Sequence, residues 1–322
     1  MTREELIKAQ EELKQIVASG KLMELAKVIG EPVDPLRPYP KVVETLCETS
    51  DAEPGDDLFV FDVEEDVREV YFIDNSGTVT SKQVTPATPS QISFSNILTP
   101  EYYIHFVDLL TAKYDELAKK KKLLTSALNA IEIKKVLLAH DAAIPADNRL
   151  VLASGETSFT YPHLIKMKNL INEYGDKFVL IAGANIEEDI TLWDYNENKY
   201  RSLRDALKDL GVEIIKVTGK VTVDGTEKVL LDPDKAILVA LNTEAGKPGL
   251  LCRRKLNPIQ ILGGEIDRQL QRVAIVSPAV MPVGANRVPA VGITGFESVA
   301  IVVRNAKAIA GFYRGETWKP EA

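Results

Sequence analysis

The sequence predicts an α+β chain whose texture changes along its length. Three observations predict it. Apolar residues keep period-two alternation from Leu58 to Ile73, with Phe59, Phe61, Val63, Val67, Tyr71 and Ile73 at odd positions and Asp62, Glu64, Asp66 and Arg68 between them. Helical spacing then runs from Thr99 to about Ala139 with no Gly and no Pro after Pro100. Beyond about Asn148, strand-sized apolar runs alternate with capped helical stretches. The 322 residues are enough for about two compact units at roughly 150 residues each.

The first element, residues 2–29, reads as an amphipathic helix: Leu6, Leu13, Ile16, Val17, Leu25 and Val28 recur at helical spacing, and Gly30 with Pro32 stops it. EPVDPLRPYP follows, where four prolines favour an extended arm. The alternating stretch is the outgoing strand of a long hairpin. Asn75-Ser76-Gly77 turns it, and Thr78 to Phe94 returns. A lone two-stranded hairpin is marginal in water, so this one needs a surface to lie against. Thr99-Pro100-Glu101 carries helix-start chemistry: a hydroxyl cap, Pro at the first helical position and an acid in the first turn. From there Tyr103, Phe106, Leu110, Tyr114, Leu117, Leu124, Leu128 and Ile131 form one stripe of a helix of about 40 residues, about 60 Å long.

In the alternating region, Thr160 caps a helix over Tyr161–Tyr174 that Gly175 ends. Strands are expected at Phe178–Ala182, Val212–Val217, Ala236–Leu241, Arg272–Ser277 and Ser298–Arg304. A second helix spans about Ser202–Leu210, and Asp224-Gly225 turns a short hairpin.

Composition and motifs exclude several functions. Hydrophobic content of 45% and charged content of 27% are ordinary soluble usage. No apolar run approaches the ~20 residues of a membrane span, and the charged first residues lack a signal-peptide core. The expected setting is cytosolic, without a membrane. Cys47 and Cys252 offer neither a disulfide framework nor a cysteine-rich zinc site. VLIAGAN, Val179 to Asn185, has one glycine where a dinucleotide loop needs three, and acids follow where phosphate would sit. It reads as a buried strand, with a nucleotide-binding enzyme near Gly183 as the remote alternative. Gly246-Lys247-Pro248-Gly249 lacks phosphate-loop spacing. His105, His140 and His163 share no metal-ligand spacing and read as structural or surface residues. No catalytic, cofactor or metal residue is assigned.

The charge is concentrated. Between Asp51 and Phe94 ten acids face only Arg68 and Lys82, so this segment carries the chain's whole net charge of −8. With no basic excess elsewhere, sequence-nonspecific gripping of nucleic acid is not expected. Residues 113–135 hold Lys113, Lys119–Lys122, Lys134 and Lys135 against Asp115, Glu116 and Glu132. An acidic hairpin and a basic helix suggest contact between subunits, with Asp62, Glu64 and Asp66 on one side and Lys119, Lys120, Lys121 and Lys122 on the other.

This order of elements resembles the tailed-bacteriophage major capsid protein, the Hong Kong 97-type fold. The carrying features are the N-terminal helix and arm, the hairpin over Asp56–Phe94, the helix entered through SFSNILTPEYY, the α/β lobe and the terminal GFESVAIVVRNAKAIAGF. The resemblance implies a helix and arm over 1–55, an extended loop over 56–96, a peripheral domain over 97–153 and 290–322 with the long helix as spine, and an axial domain over 154–289. It implies no enzyme and no cofactor. The implied role is self-assembly through hexamers and pentamers into an icosahedral virion shell, put together in the host cytoplasm. That shell encloses double-stranded DNA without sequence-specific binding, and scaffold, portal and cement proteins are the implied partners. An encapsulin-like compartment shell is the alternative within the fold. The loop tip, Ile73 to Thr80, has no Lys, so the covalent crosslinking of some members is not expected.

Overall fold

The computed structural model describes residues 40–53, 58–61, 89–105, 114–196, 207–208, 210–242, 246–255, 272–283 and 286–321. The expected helix over 2–29, the arm before Pro40 and hairpin residues 62–88 lie outside them, and so do Asp62, Glu64 and Asp66. Pro40 opens a short helix, α1 (Pro40–Leu46), where its missing N–H costs nothing. The helix runs straight into β1 (Cys47–Ala52). Next, β2 (Leu58–Phe61) pairs antiparallel with β3 (Pro89–Ile92), Leu58 opposite Ile92 and Phe61 opposite Pro89. This is the base of the hairpin that the alternation predicts.

The helix start expected at Thr99 is corrected. β4 (Ser95–Leu98) and β5 (Tyr102–His105) flank Thr99, and both pair with a late strand. The Thr99 hydroxyl accepts the Gly295 N–H at 2.8 Å, and the Thr99 N–H donates to the Gly295 carbonyl at 2.8 Å. The cap chemistry is therefore spent on a sheet, and the β-favouring run Tyr102-Tyr103-Ile104 continues it. Among the described residues the long helix, α2, spans Tyr114–Ala143; its 30 residues extend about 45 Å.

The alternating region follows as β6 (Arg149–Val151), α3 (Tyr161–Ile171), β7 (Lys177–Ala182), α4 (Ala184–Asn196) and β8 (Val212–Lys216). The hairpin of β9 (Lys220–Val223) and β10 (Thr226–Val229) comes next. Asp224 and Gly225 turn it with φ of 50° and 76°, the left-handed pair such a turn requires. Then come β11 (Lys235–Leu241), β12 (Gly249–Arg254), β13 (Arg272–Val283), β14 (Asn286–Val303) and β15 (Ile309–Tyr313). α4 is not foreseen in the sequence, though Glu187 in its first turn suits a helix N-terminus. β1 and β12 were also not anticipated.

Two sheets result. In the first, β1, β12, β14 and β13 lie in that order, with β4 and β5 also on β14. The second runs β6-β15-β11-β7-β8. β14 is 18 residues long and serves β13 over its whole length, which a strand of ordinary size could not do. After β14, Asn305 caps a single 3₁₀ turn over Ala306–Ala308. It carries the chain across to β15, between β6 and β11 of the second sheet.

α2 lies between the sheets. One core joins Ile97, Leu251 and Val299 of the first sheet, Leu128, Ile133, Val136 and Leu137 of α2, and Val179, Ile181, Ile237, Val239 and Ile309 of the second. Alternate residues of those same second-sheet strands, such as Leu180, Leu238 and Phe312, form a separate core with Leu164, Met167 and Ile171 of α3 and Ile186 and Ile190 of α4. The second sheet is thus covered on both faces, and its strands read as continuous apolar runs for that reason. The order of layers is sheet, long helix, sheet, helix pair.

Candidate assembly surface

The sequence points to Asp62, Glu64 and Asp66 of the hairpin, outside the described residues, and to the run Lys119–Lys122 as the two sides of a subunit contact. Lys119–Lys122 lie in α2, before the part of the helix buried between the sheets. Lys120 is half-buried, its Nζ 5.9 Å from the centre of the Tyr102 ring. That cation–π contact ties α2 to β5.

The rest of the basic stretch divides. Lys134 is buried and paired with Glu321 at 2.6 Å. Glu132 is buried as well, taking Arg253 of β12 at 2.7 Å. These two charges fasten α2 to its own subunit and are withdrawn from any outer surface. Sequence spacing missed this, because an amphipathic stripe does not say which charges have buried partners. Beside the lysine run, Leu123 is 46% exposed, and on the first sheet Leu98 is 59% exposed and Tyr103 38%.

The point where residues 1–39 leave the described chain is held by charge. Glu48 of β1 accepts the Lys247 N–H at 3.4 Å and pairs with Arg304, and Lys247 Nζ donates to the Glu44 carbonyl. The Arg304 hydrogen bond holds the Glu48 carboxyl below its usual range. Gly246-Lys247-Pro248-Gly249 is therefore a clamp on α1 and β1. Gly249 lies so close to Cys47 and His140 that a Cβ there would meet Cys47 Sγ at 2.7 Å. Burial pushes the Cys47 thiol up to about 12, so it stays protonated at neutral pH.

Gly183 also has a packing reason. A Cβ on it would sit 2.3 Å from the Asp232 carbonyl oxygen. The N–H groups of Asn185 and Ile186, at the start of α4, donate to the Pro233 carbonyl at 3.0 and 3.4 Å. The donors that would hold a phosphate are already in use.

The histidines have structural settings. His163 Nδ1 accepts the Thr160 N–H at 3.1 Å, which leaves the proton on Nε2 to donate to Glu156 at 3.0 Å. This closes a capping box at the start of α3, with His at the position usually held by Glu or Gln. His140 is fully buried in α2 and bonds the Val136 carbonyl through Nδ1 at 2.8 Å. His105 lies on β5 opposite Ala290. Among the described residues no group of His, Cys, Asp and Glu could hold a metal, and no helix is long and apolar enough to cross a membrane.

No protein-family model and no curated protein matches the sequence. Solved structures do match in three dimensions. The Mycobacterium phage Adephagia structure is 11% identical, covers 92% of this chain and 98% of its own, and superposes with a TM-score of 0.52. The Gordonia phage Cozz structure is 13% identical, covers 85% of each chain and also scores 0.52. The fold is that of the phage capsid proteins. The capsid structure of cyanophage P-SCSP1u, 10% identical, covers 84% of this chain and 86% of its own with a TM-score of 0.49. At these identities the likeness is one of fold. In this capsid fold, β14 and α2 join the two sheets through one core.

Proposed function

We propose that the chain is a major capsid protein of a tailed bacteriophage, assembling through hexamers and pentamers into an icosahedral head around double-stranded DNA. The observation that carries this reading is the near end-to-end match to the Adephagia fold. The charge distribution supports it: acids gathered in one hairpin and a balanced remainder leave no basic stripe to hold DNA in place. In this reading the role is structural, not catalytic. Residues 1–55 form the helix and arm, 56–96 the extended loop, 97–153 and 290–322 the peripheral domain, and 154–289 the axial domain. Scaffold, portal and cement proteins are its partners. Assembly takes place in the host cytoplasm and the product is the virion. Heterologous contacts that close by symmetry build such a shell from many weak interfaces.

Asp62, Glu64 and Asp66 of one subunit meet the Lys119, Lys120, Lys121 and Lys122 region of a neighbour, where opposite charge sets register. Changing the four lysines to Glu lowers shell yield at least tenfold at low salt and leaves the circular dichroism spectrum unchanged. Unimpaired assembly, read by sedimentation, removes this contact from the account. An encapsulin-like compartment is the second reading within the fold. Particle contents separate them: nuclease-protected DNA from particles made during infection supports the phage head, and a protein cargo without DNA supports the compartment.

A further inference from the structure

Beyond β15 the chain turns back over the seam between α2 and the second sheet. Trp318 packs against Gly311 of β15, so close that a Cβ on Gly311 would be 2.4 Å from the indole. The ring is flanked by two cations, Lys235 Nζ at 4.9 Å and Arg149 at 5.6 Å from its centre. Three residues on, Glu321 makes four contacts. Its carboxylate takes Lys134 of α2 at 2.6 Å, the Asp232 N–H at 3.1 Å and Lys235 of β11 at 3.9 Å. Its own N–H donates to Asp141 of α2 at 2.7 Å. The other Asp141 oxygen accepts Lys235 Nζ at 2.8 Å. All four charged side chains are buried, at most 4% exposed, and their charges cancel.

We propose that Trp318–Glu321 is a strap that locks α2 onto the second sheet and so fixes how the two sheets sit on that helix. Buried ions are stable only when each is paired and hydrogen-bonded. Asp141 and Lys235 remain paired with each other when the strap lifts. Lys134 does not: Glu321 is its carboxylate, and without it a buried ammonium faces the seam. α2 must then shift to bring Lys134 to water, which loosens the core between the sheets and leaves the α3 side of the second sheet alone. A locked seam presents neighbouring subunits with one geometry, a consequence that rests on the shell reading; the lock itself does not.

The test is hydrogen exchange, read by mass spectrometry on the unassembled chain, so its outcome is separate from whether shells form. It compares the full chain, Glu321→Gln and a chain ending at Gly315. In both variants peptides covering 130–143 exchange about tenfold faster or more, while those covering 161–171 keep their full-chain rate. A peptide of residues 315–322 added to the shortened chain restores the slow rate. If the shortened chain fails to fold, Glu321→Gln alone decides. Unchanged rates, equal acceleration of both regions, or unfolding of Glu321→Gln overturns the strap.

Discussion

Joining Phe61 to Pro89 through an Asn-Gly turn in place of residues 62–88 abolishes shell formation and leaves a folded, monodisperse chain. The ends are ready for closure: Phe61 and Pro89 face each other in an antiparallel pair, and Asn-Gly supplies the two left-handed residues that a tight hairpin turn needs. In the sequence, Val63, Val67, Tyr71 and Ile73 of the removed segment alternate with acids, the pattern expected of a strand with one apolar side. Two strands alone cannot bury such a side stably in water, and in the proposed shell a neighbouring subunit covers it. Its removal deletes an interface from every subunit of a symmetric shell, and the loss is multiplied through the assembly. Circular dichroism and melting temperature report the fold, and sedimentation reports the shells. Shells at full yield show that the hairpin is not an assembly element.

The second large effect is acid sensitivity from His140. Burial holds its imidazole well below the ordinary value of 6.5, at about 4. Nδ1 bonds the Val136 carbonyl, and the other side of the ring packs against Gly249. A proton added there places a charge in the buried seam between α2 and β12, where backbone hydrogen bonds to Val136 and Leu46 offset only part of the burial cost. Between about pH 6.5 and 4 the unfolded chain holds this proton and the folded chain does not. Stability therefore falls as pH drops through that window and levels below it. The shift corresponds to about 3 kcal/mol. Urea unfolding of the unassembled chain across that range, compared with His140→Leu, reads the effect: the variant loses about that much less stability on acidification. Parallel pH profiles contradict the assignment.

Elements whose signal is local were legible in the sequence. The Asp224-Gly225 turn, the Thr160 start of α3 and the strands Lys177–Ala182 and Lys235–Leu241 all declare themselves through turn chemistry or unbroken apolar runs. What failed depended on distant partners. Thr99-Pro100-Glu101 has every local mark of a helix start, yet Gly295, far along the chain, claims its hydroxyl. β1 is polar and half-exposed because it is an edge strand, and only its parallel partner β12 makes it one. Lys134 and Lys235 look like surface lysines until Glu321 and Asp141 are folded against them. Of the proposed contact, the sequence supplies the charge segregation, and the fold removes Lys134 and Glu132 from it.

The most direct test of the central claim is electron microscopy of the full chain expressed alone, with sedimentation velocity on the same sample. The account predicts closed shells of uniform size, or free hexamers and pentamers that close on addition of their scaffold. A monodisperse monomer or dimer that stays so at high concentration, with or without such a scaffold, contradicts it.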